Sequence, residues 1–309
     1  MGRFKGVYRA AWYKNQTTFQ ATAALLAVFH DVGIQTLLLK GVALVLFHYK
    51  DHGLRPMNDL DILVRPEQAS AAIELLVELG WSPKQKSQRV FTDKYFSFRH
   101  GHEFRDGIGH QLDLHWHALL ECCYPGADDD FWDGAVSTEL HGVSTCALNP
   151  TDQLLHVCAH GAEWSFLPPF RWVADAMMIL NTSQSEIDWD RLLAQAQKRR
   201  LILQVEGALS YLQDLLNAPI PPTVLQSMRS MPVSGIERIE YQTRTRLSGL
   251  TGVTARNFFC YLRASQSRKS TVQTLVDFPR FLQHVWALDH LWQVPLYAVS
   301  KVGKRAKVR

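Results

Sequence analysis

Three aspartates stand where strand geometry can aim them at one point. In Asn58-Asp59-Leu60-Asp61-Ile62-Leu63-Val64, alternation along a strand puts Asp59 and Asp61 on one face and Leu60, Ile62 and Val64 on the other. Carboxylates at i and i+2 lie roughly 7 Å apart along a strand that rises about 3.3 Å per residue. Two acids held that close repel, so the arrangement asks for a cation. Magnesium takes few carboxylates and completes its shell with water and substrate phosphates. In His110-Gln111-Leu112-Asp113-Leu114-His115-Trp116, the apolar face is Leu112, Leu114 and Trp116, and Asp113 points away from it with Gln111 and His115. A third carboxylate from a neighbouring strand completes a two-metal site for in-line displacement at phosphorus. Such an aspartate can also take a proton from an attacking hydroxyl.

Upstream, Leu39-Lys40-Gly41 falls between an apolar strand, Gln35 to Leu39, and a helix, Gly41 to Tyr49. A strand-to-helix turn with glycine lets backbone N–H groups approach phosphate, and a helix N-terminus favours anions. Lys40 adds a point charge. Arg55, in the Gly53-Leu54-Arg55-Pro56 loop before the acids, can bind triphosphate or hold the loop.

The elements that must position these residues are legible as a mixed first half. Thr17 to Phe29 reads as a helix stopped at Gly33, and Leu60 to Val64 as a strand. Glu67 to Leu79 is an amphipathic helix with Pro66 at its start and Gly80 past its end. Tyr95 to Arg99 and Gln111 to Trp116 read as further strands. After Asn149-Pro150 the pattern turns helical: Thr151 to about Glu163, Phe170 to Leu180, Trp189 to Lys198, Leu201 to Leu216, Pro222 to Met228, Gly235 to Arg246 and Val272 to Val285. The expected fold is α+β: a mixed sheet with helices over residues 1–150, then a mostly helical domain over 151–309.

The order strand, Lys-Gly, helix, Arg-Pro loop, D-x-D strand and separate Asp strand resembles the polymerase-β-like nucleotidyltransferase superfamily. Lys40-Gly41, Gly53 to Val64 and Asp113-Leu114-His115-Trp116 resemble its bacterial group of uncharacterised nucleotidyltransferases. So do His156, His160-Gly161-Ala162 and Arg171-Trp172-Val173-Ala174-Asp175. The resemblance implies Asp59, Asp61 and Asp113 as metal ligands for Mg2+, two ions, with Asp113 also a base. It implies an NTP as substrate and transfer of a nucleoside monophosphate to a hydroxyl-type acceptor. Lys40 and Gly41 stand where the superfamily usually has Gly-Ser or Gly-Gly. Two alternatives use the same fold: a non-catalytic nucleotide-binding accessory protein, or an RNA-directed or toxin–antitoxin nucleotidyltransferase.

Other residues carry weaker signals. His156 and His160 lie i, i+4 on one helix face, a zinc spacing without the metalloprotease glutamate; a core or interface role is the plainer reading. His160, Arg171 and Asp175 are expected to line the cleft with the aspartates, as nucleotide-binding residues or their support, and Glu163 to join them or be solvated. Trp164 and Trp172 are placed to stack a base. Asp128-Asp129-Asp130 reads as a solvated turn, and Cys122-Cys123 as structural. Phe278 to Tyr297 is aromatic and leucine-rich, and packing on the helical domain is its expected role.

Composition narrows the class. The 309 residues are 47% hydrophobic and 20% charged, with net charge +4, too mild to announce a nucleic-acid binder. Lys301, Lys304, Arg305, Lys307 and Arg309 form a basic C-terminal tail, a solvated end or a contact for phosphates or an anionic surface. Five irregularly spaced cysteines do not make a disulfide framework, and no signal sequence or transmembrane segment is visible. A cytoplasmic location is the expectation.

Overall fold

The computed structural model describes residues 2–84, 91–161, 170–246, 249–265, 271–286 and 288–298. Glu163, Trp164 and the basic tail lie outside them. The first half runs α1 (Gly2–Asp31), β1 (Thr36–Leu38), α2 (Lys40–Leu44), a π-helical turn (Val45–Tyr49), β2 (Leu60–Val64), α3 (Ala69–Glu78) and β3 (Ser82–Pro83). It continues with α4 (Asp93–Phe96), β4 (Gly101–Arg105), β5 (Gln111–His115), α5 (Asp129–Asp133), β6 (Val136–Leu140) and β7 (Val143–Ala147). Helices follow: α6 (Pro150–Gly161), α7 (Arg171–Thr182), α8 (Trp189–Lys198), α9 (Ile202–Leu216), α10 (Pro222–Ser230), α11 (Gly235–Arg246), α12 (Gly249–Ser265) and α13 (Thr271–Val285).

Seven strands form one mixed sheet in the order β3-β4-β5-β2-β1-β7-β6. The central pair β2 and β5 is parallel and sets Asp61 opposite Asp113. All five residues of β2 are buried, so its apolar and acidic faces are both covered. One apolar core, with Phe29, Ile62, Leu76, Leu114 and Trp116, lies between the sheet and the helices α1 and α3. A second core joins Leu37, Leu39, Leu44 and Leu63 to Leu154, Ile179, Leu192, Val205 and Leu225 of α6 to α10. The helical part therefore packs directly on the acid-bearing face of the sheet, which places a cleft there.

Several sequence expectations need correction. The strand expected at Tyr95 to Arg99 is the short helix α4 followed by a bend; Thr92 Oγ1 accepts from Tyr95 N at 3.3 Å and starts that turn. The strand that pairs with β5 is β4, in antiparallel register from Gly101↔His115 to Arg105↔Gln111. Gly101 is required there: a Cβ would come within 2.6 Å of the Leu114 carbonyl oxygen and 3.0 Å of His115 Nδ1. The Asp128-Asp129-Asp130 run is not a solvated turn throughout. Asp128 is buried, with Oδ2 at 2.7 Å from His117 Nδ1 and Oδ1 accepting from Ala118 N at 3.0 Å. Asp130 binds Lys198. The first helix starts at Gly2, not Thr17. α12 has no counterpart in the sequence reading; Tyr261 on it packs with Phe281, Leu282 and Val294, while Leu291, Trp292 and Leu296 of the same aromatic segment are exposed. All five cysteines are unpaired.

Among the described residues no helix is long and apolar enough to cross a membrane. Three histidines make the fold sensitive to acid. Burial lowers the pKa of His48, takes His102 down to about 4 with help from Arg99, and holds His156 well below the ordinary value with help from His160 and Lys40. Their unfolded pKa is about 6.5. Below that the unfolded chain takes up protons that the folded chain refuses, so stability is full above pH 6.5 and falls as pH falls toward the folded values. Asp113, pushed up to about 7, takes up a proton in the folded chain first and opposes this loss, so urea unfolding between about pH 7.5 and 5 is expected to show a net loss on acidification most clearly in Asp113→Asn. A flat profile in that variant would show that the histidines are solvated when folded.

Candidate active site

The loop that carries the acids is built by α1. Asn15 is fully buried, and its side-chain amide donates to the carbonyl oxygens of His52 at 2.5 Å and Arg55 at 2.8 Å. Its Oδ1 accepts from Met57 N at 3.3 Å. Lys14 Nζ donates to Asn58 Oδ1 at 2.6 Å, next to Asp59. Placing the helix start at Thr17 hid both residues. From the other side, Arg55 gives Nε and Nη2 to the two carboxylate oxygens of Asp175 on α7, each at 2.8 Å, and Tyr49 OH donates to the same carboxylate at 2.8 Å. Two of Arg55's nitrogens thus fasten the loop to the helical part.

Asp61 sits at the centre, 3% exposed. Its Oδ1 accepts from Lys40 Nζ at 2.7 Å and from His115 Nε2 at 3.1 Å. Burial alone would raise its pKa, but Lys40 and His115 outweigh burial and hold it far below the usual carboxylate range. Burial opposes the charge of Lys40, yet Asp61, Asp113 and Asp59 together raise its pKa above the ordinary lysine value. Asp113 has no such cation on it: burial and the Asp61 carboxylate push it up to about 7. Asp59 is raised by burial and by Asp61. Burial lowers the pKa of His115, and Nε2 is the ring nitrogen that donates to the Asp61 carboxylate. Its Nδ1 is buried without a partner among the described residues.

The ligand atoms of Asp61, Asp113 and His115 lie within 4.8 Å of one another. Asp59, which precedes β2, stays outside that close group but lines the cavity in front of it. The cavity holds about 260 Å³ and is lined by Lys40, Gly41, Leu44, Arg55, Asp59, Asp61, His156, Val157, His160, Gly161, Arg171, Trp172 and Asp175. Of the residues expected at the cleft, Lys40, Gly41, Arg55, Asp59, Asp61, His160, Arg171, Trp172 and Asp175 line it. Asp113 is not in the cavity's lining; it stands beside Asp61 in the strand register. His156 is buried and donates from Nε2 to the Ala118 carbonyl at 3.1 Å, with its ring 5.8 Å from that of His160. His115 was absent from the expected site, although its i+2 spacing from Asp113 put it on the acid face.

Gly41 holds this packing together. An added Cβ would stand 2.6 Å from Met57 Sδ and 2.9 Å from Arg55 Nη1. Met57 is buried and Arg55 is held by Asp175, so neither can yield freely. Gly41→Ala is expected to cost about 1–3 kcal/mol in chemical unfolding through overpacking. A neutral result would mean that the loop shifts without strain.

Residues 2–217 match the sequence profile of a family described as "Uncharacterised nucleotidyltransferase". The chain belongs to that family. Nucleotidyl transfer is thereby its class of activity, and the chain is a transferase. No curated protein matches it. Solved structures of similar shape include the antibiotic-resistance factor ANT(2'')-Ia, at 13% identity and TM-score 0.41 over 64% of this chain and 97% of that one. The lincosamide antibiotic adenylyltransferase LnuA, lincomycin-bound, is 15% identical with TM-score 0.34 over 50% of this chain and 92% of that one. An antigenic nucleotidyltransferase-like protein from Paracoccidioides brasiliensis is 9% identical with TM-score 0.43, covering 70% and 94%.

Proposed function

We propose that this family member moves a nucleoside monophosphate from an NTP to a hydroxyl-type acceptor, with Mg2+ held by Asp59, Asp61 and Asp113 in a two-ion arrangement. The observation that carries the reading is the register of β2 and β5, which sets Asp61 beside Asp113 at a cavity also lined by Lys40 and Arg171. The residues suit a hard dication. The carboxylates of Asp59, Asp61 and Asp113 offer oxygens, and burial with the Asp61 charge raises the pKa of Asp113 and Asp59, a cost of ionisation that a cation would relieve. When bound, magnesium would neutralise the phosphate oxygens and the leaving pyrophosphate.

The chain's own groups do the rest. Lys40 and Arg171, which both line the cavity, bind the triphosphate, with the backbone at Gly41 beside it. Trp172, set against Gly161 and 5.9 Å from Tyr211 between ring centroids, offers an aromatic face to a base. Arg55, spent largely on Asp175, keeps the acid loop in place. Asp113 accepts the proton of the acceptor hydroxyl as its oxygen bonds to the α-phosphorus and pyrophosphate departs. The test is thermal unfolding with each of the four NTPs and Mg2+, on the wild type and on Asp59→Ala/Asp61→Ala. One NTP is expected to stabilise the wild type only with metal, and not the double variant. A flat response to all four by well-folded protein would refute the reading.

A further inference from the structure

We propose that Lys40 is a built-in counter-ion that occupies the first cation's place on Asp61, so that metal enters together with the triphosphate and not before it. This rests on the reading of Asp59, Asp61 and Asp113 as cation ligands. Lys40 Nζ lies 2.7 Å from Asp61 Oδ1, the same oxygen that His115 Nε2 approaches at 3.1 Å. That carboxylate oxygen already has two donors, one of them charged, and a dication must displace the charged one to use it. The imidazole of His115 is buried on β5. The ammonium sits on a flexible four-carbon stem and lines the cavity, so it is the donor that can move.

Charge decides when it moves. Asp59, Asp61 and Asp113 act on the one ammonium of Lys40 here, while Arg55 is paired with Asp175. A dication arriving alone would have to expel the lysine into a cavity that Arg171 also lines, and would compete with Arg171 for Asp59. A triphosphate brings the anions that the displaced ammonium can pair with, and supplies oxygens to the metal at the same time. The backbone of Lys40 is left-handed, with φ +45°, an uncommon conformation for a residue with a side chain. A lysine kept in that conformation at the head of α2 is placed to serve Asp61 in one state and phosphate in the other.

The experiment measures Mn2+ binding to the nucleotide-free full chain by electron paramagnetic resonance, for the wild type, Lys40→Met and Lys40→Arg. Thermal unfolding with Mn2+ alone, and with Mn2+ plus inorganic tripolyphosphate, accompanies it. Lys40→Met is expected to bind Mn2+ tighter than the wild type by about tenfold or more, as removal of a charge some 3 Å away would do even in a screened site. Lys40→Arg keeps the charge and is expected to bind like the wild type. Adding tripolyphosphate is expected to raise the Mn2+-dependent Tm gain of the wild type and to add little for Lys40→Met. Lys40→Gln, which keeps a hydrogen bond to Asp61 without the charge, carries the same expectation should Lys40→Met fail to fold. Uncharged variants that bind Mn2+ no tighter than the wild type would overturn the counter-ion role and leave the cation site standing. Absence of any Mn2+ effect in every protein, with tripolyphosphate present, would overturn both.

Discussion

Asp61→Asn is expected to reduce nucleotidyl transfer by at least about 10²–10³-fold, the scale seen when one preorganised electrostatic group is removed from a reacting centre. The amide keeps the carboxylate's shape and can still accept from Lys40 and His115, so the fold should survive. What it loses is the negative charge between Lys40 and Asp113. Metal affinity should fall with it, read as loss of the Mg2+-dependent stabilisation by NTP. Asp61→Ala should behave worse in a distinguishable way. It leaves Lys40 without its partner in a largely enclosed site, and breaking a buried pair in this manner costs about 3–5 kcal/mol. Chemical unfolding separates the two variants. An Asp61→Asn protein that still transfers nucleotide at the wild-type rate would remove Asp61 from the machinery.

The second large effect lies away from the reacting atoms. Asp175→Ala is expected to destabilise the protein by about 3–5 kcal/mol, because Arg55 is left charged and unpaired where its side chain is 8% exposed. Tyr49 OH loses its acceptor at the same time. The matched variant Arg55→Met/Asp175→Leu should recover most of that loss, since an apolar pair of similar volume needs no solvation. Recovery of stability without recovery of NTP-induced stabilisation would show that the pair also holds Asp59 in place through the loop it anchors. If Asp175→Ala unfolds like the wild type, the contact is solvent-screened and the loop is held by Asn15 alone.

Much of this arrangement was legible before the fold was known. β2, α8 and α11 have the ends that pattern and breakers indicated, because alternation, caps and prolines act over a few residues. The acidic face of β2 and β5 was readable for the same reason: i and i+2 share a face wherever a strand forms. Tyr95 to Arg99 misled because a short run of aromatics suits a strand as well as a packed turn. The choice was settled at a distance, where Trp116 N and His117 N both donate to the His100 carbonyl and leave β4 to begin at Gly101.

The sequence by itself pointed to the residues proposed for the chemistry: Asp61 and Asp113 on strands with Asp59 just ahead of β2, a lysine and glycine at a strand-to-helix turn, and a helical second half. It also determined the family, since those residues and their order persist along the chain. Only the tertiary structure decided what each one touches. The parallel register of β2 and β5 set Asp61 against Asp113 and brought in His115, while Asp59 remained at the cavity mouth. Arg55 went to Asp175, 120 residues away, and Lys40 to Asp61. Local sequence encodes faces and ends. The pairing of charges across a core depends on which surfaces the whole chain buries against one another, and no short window contains that information.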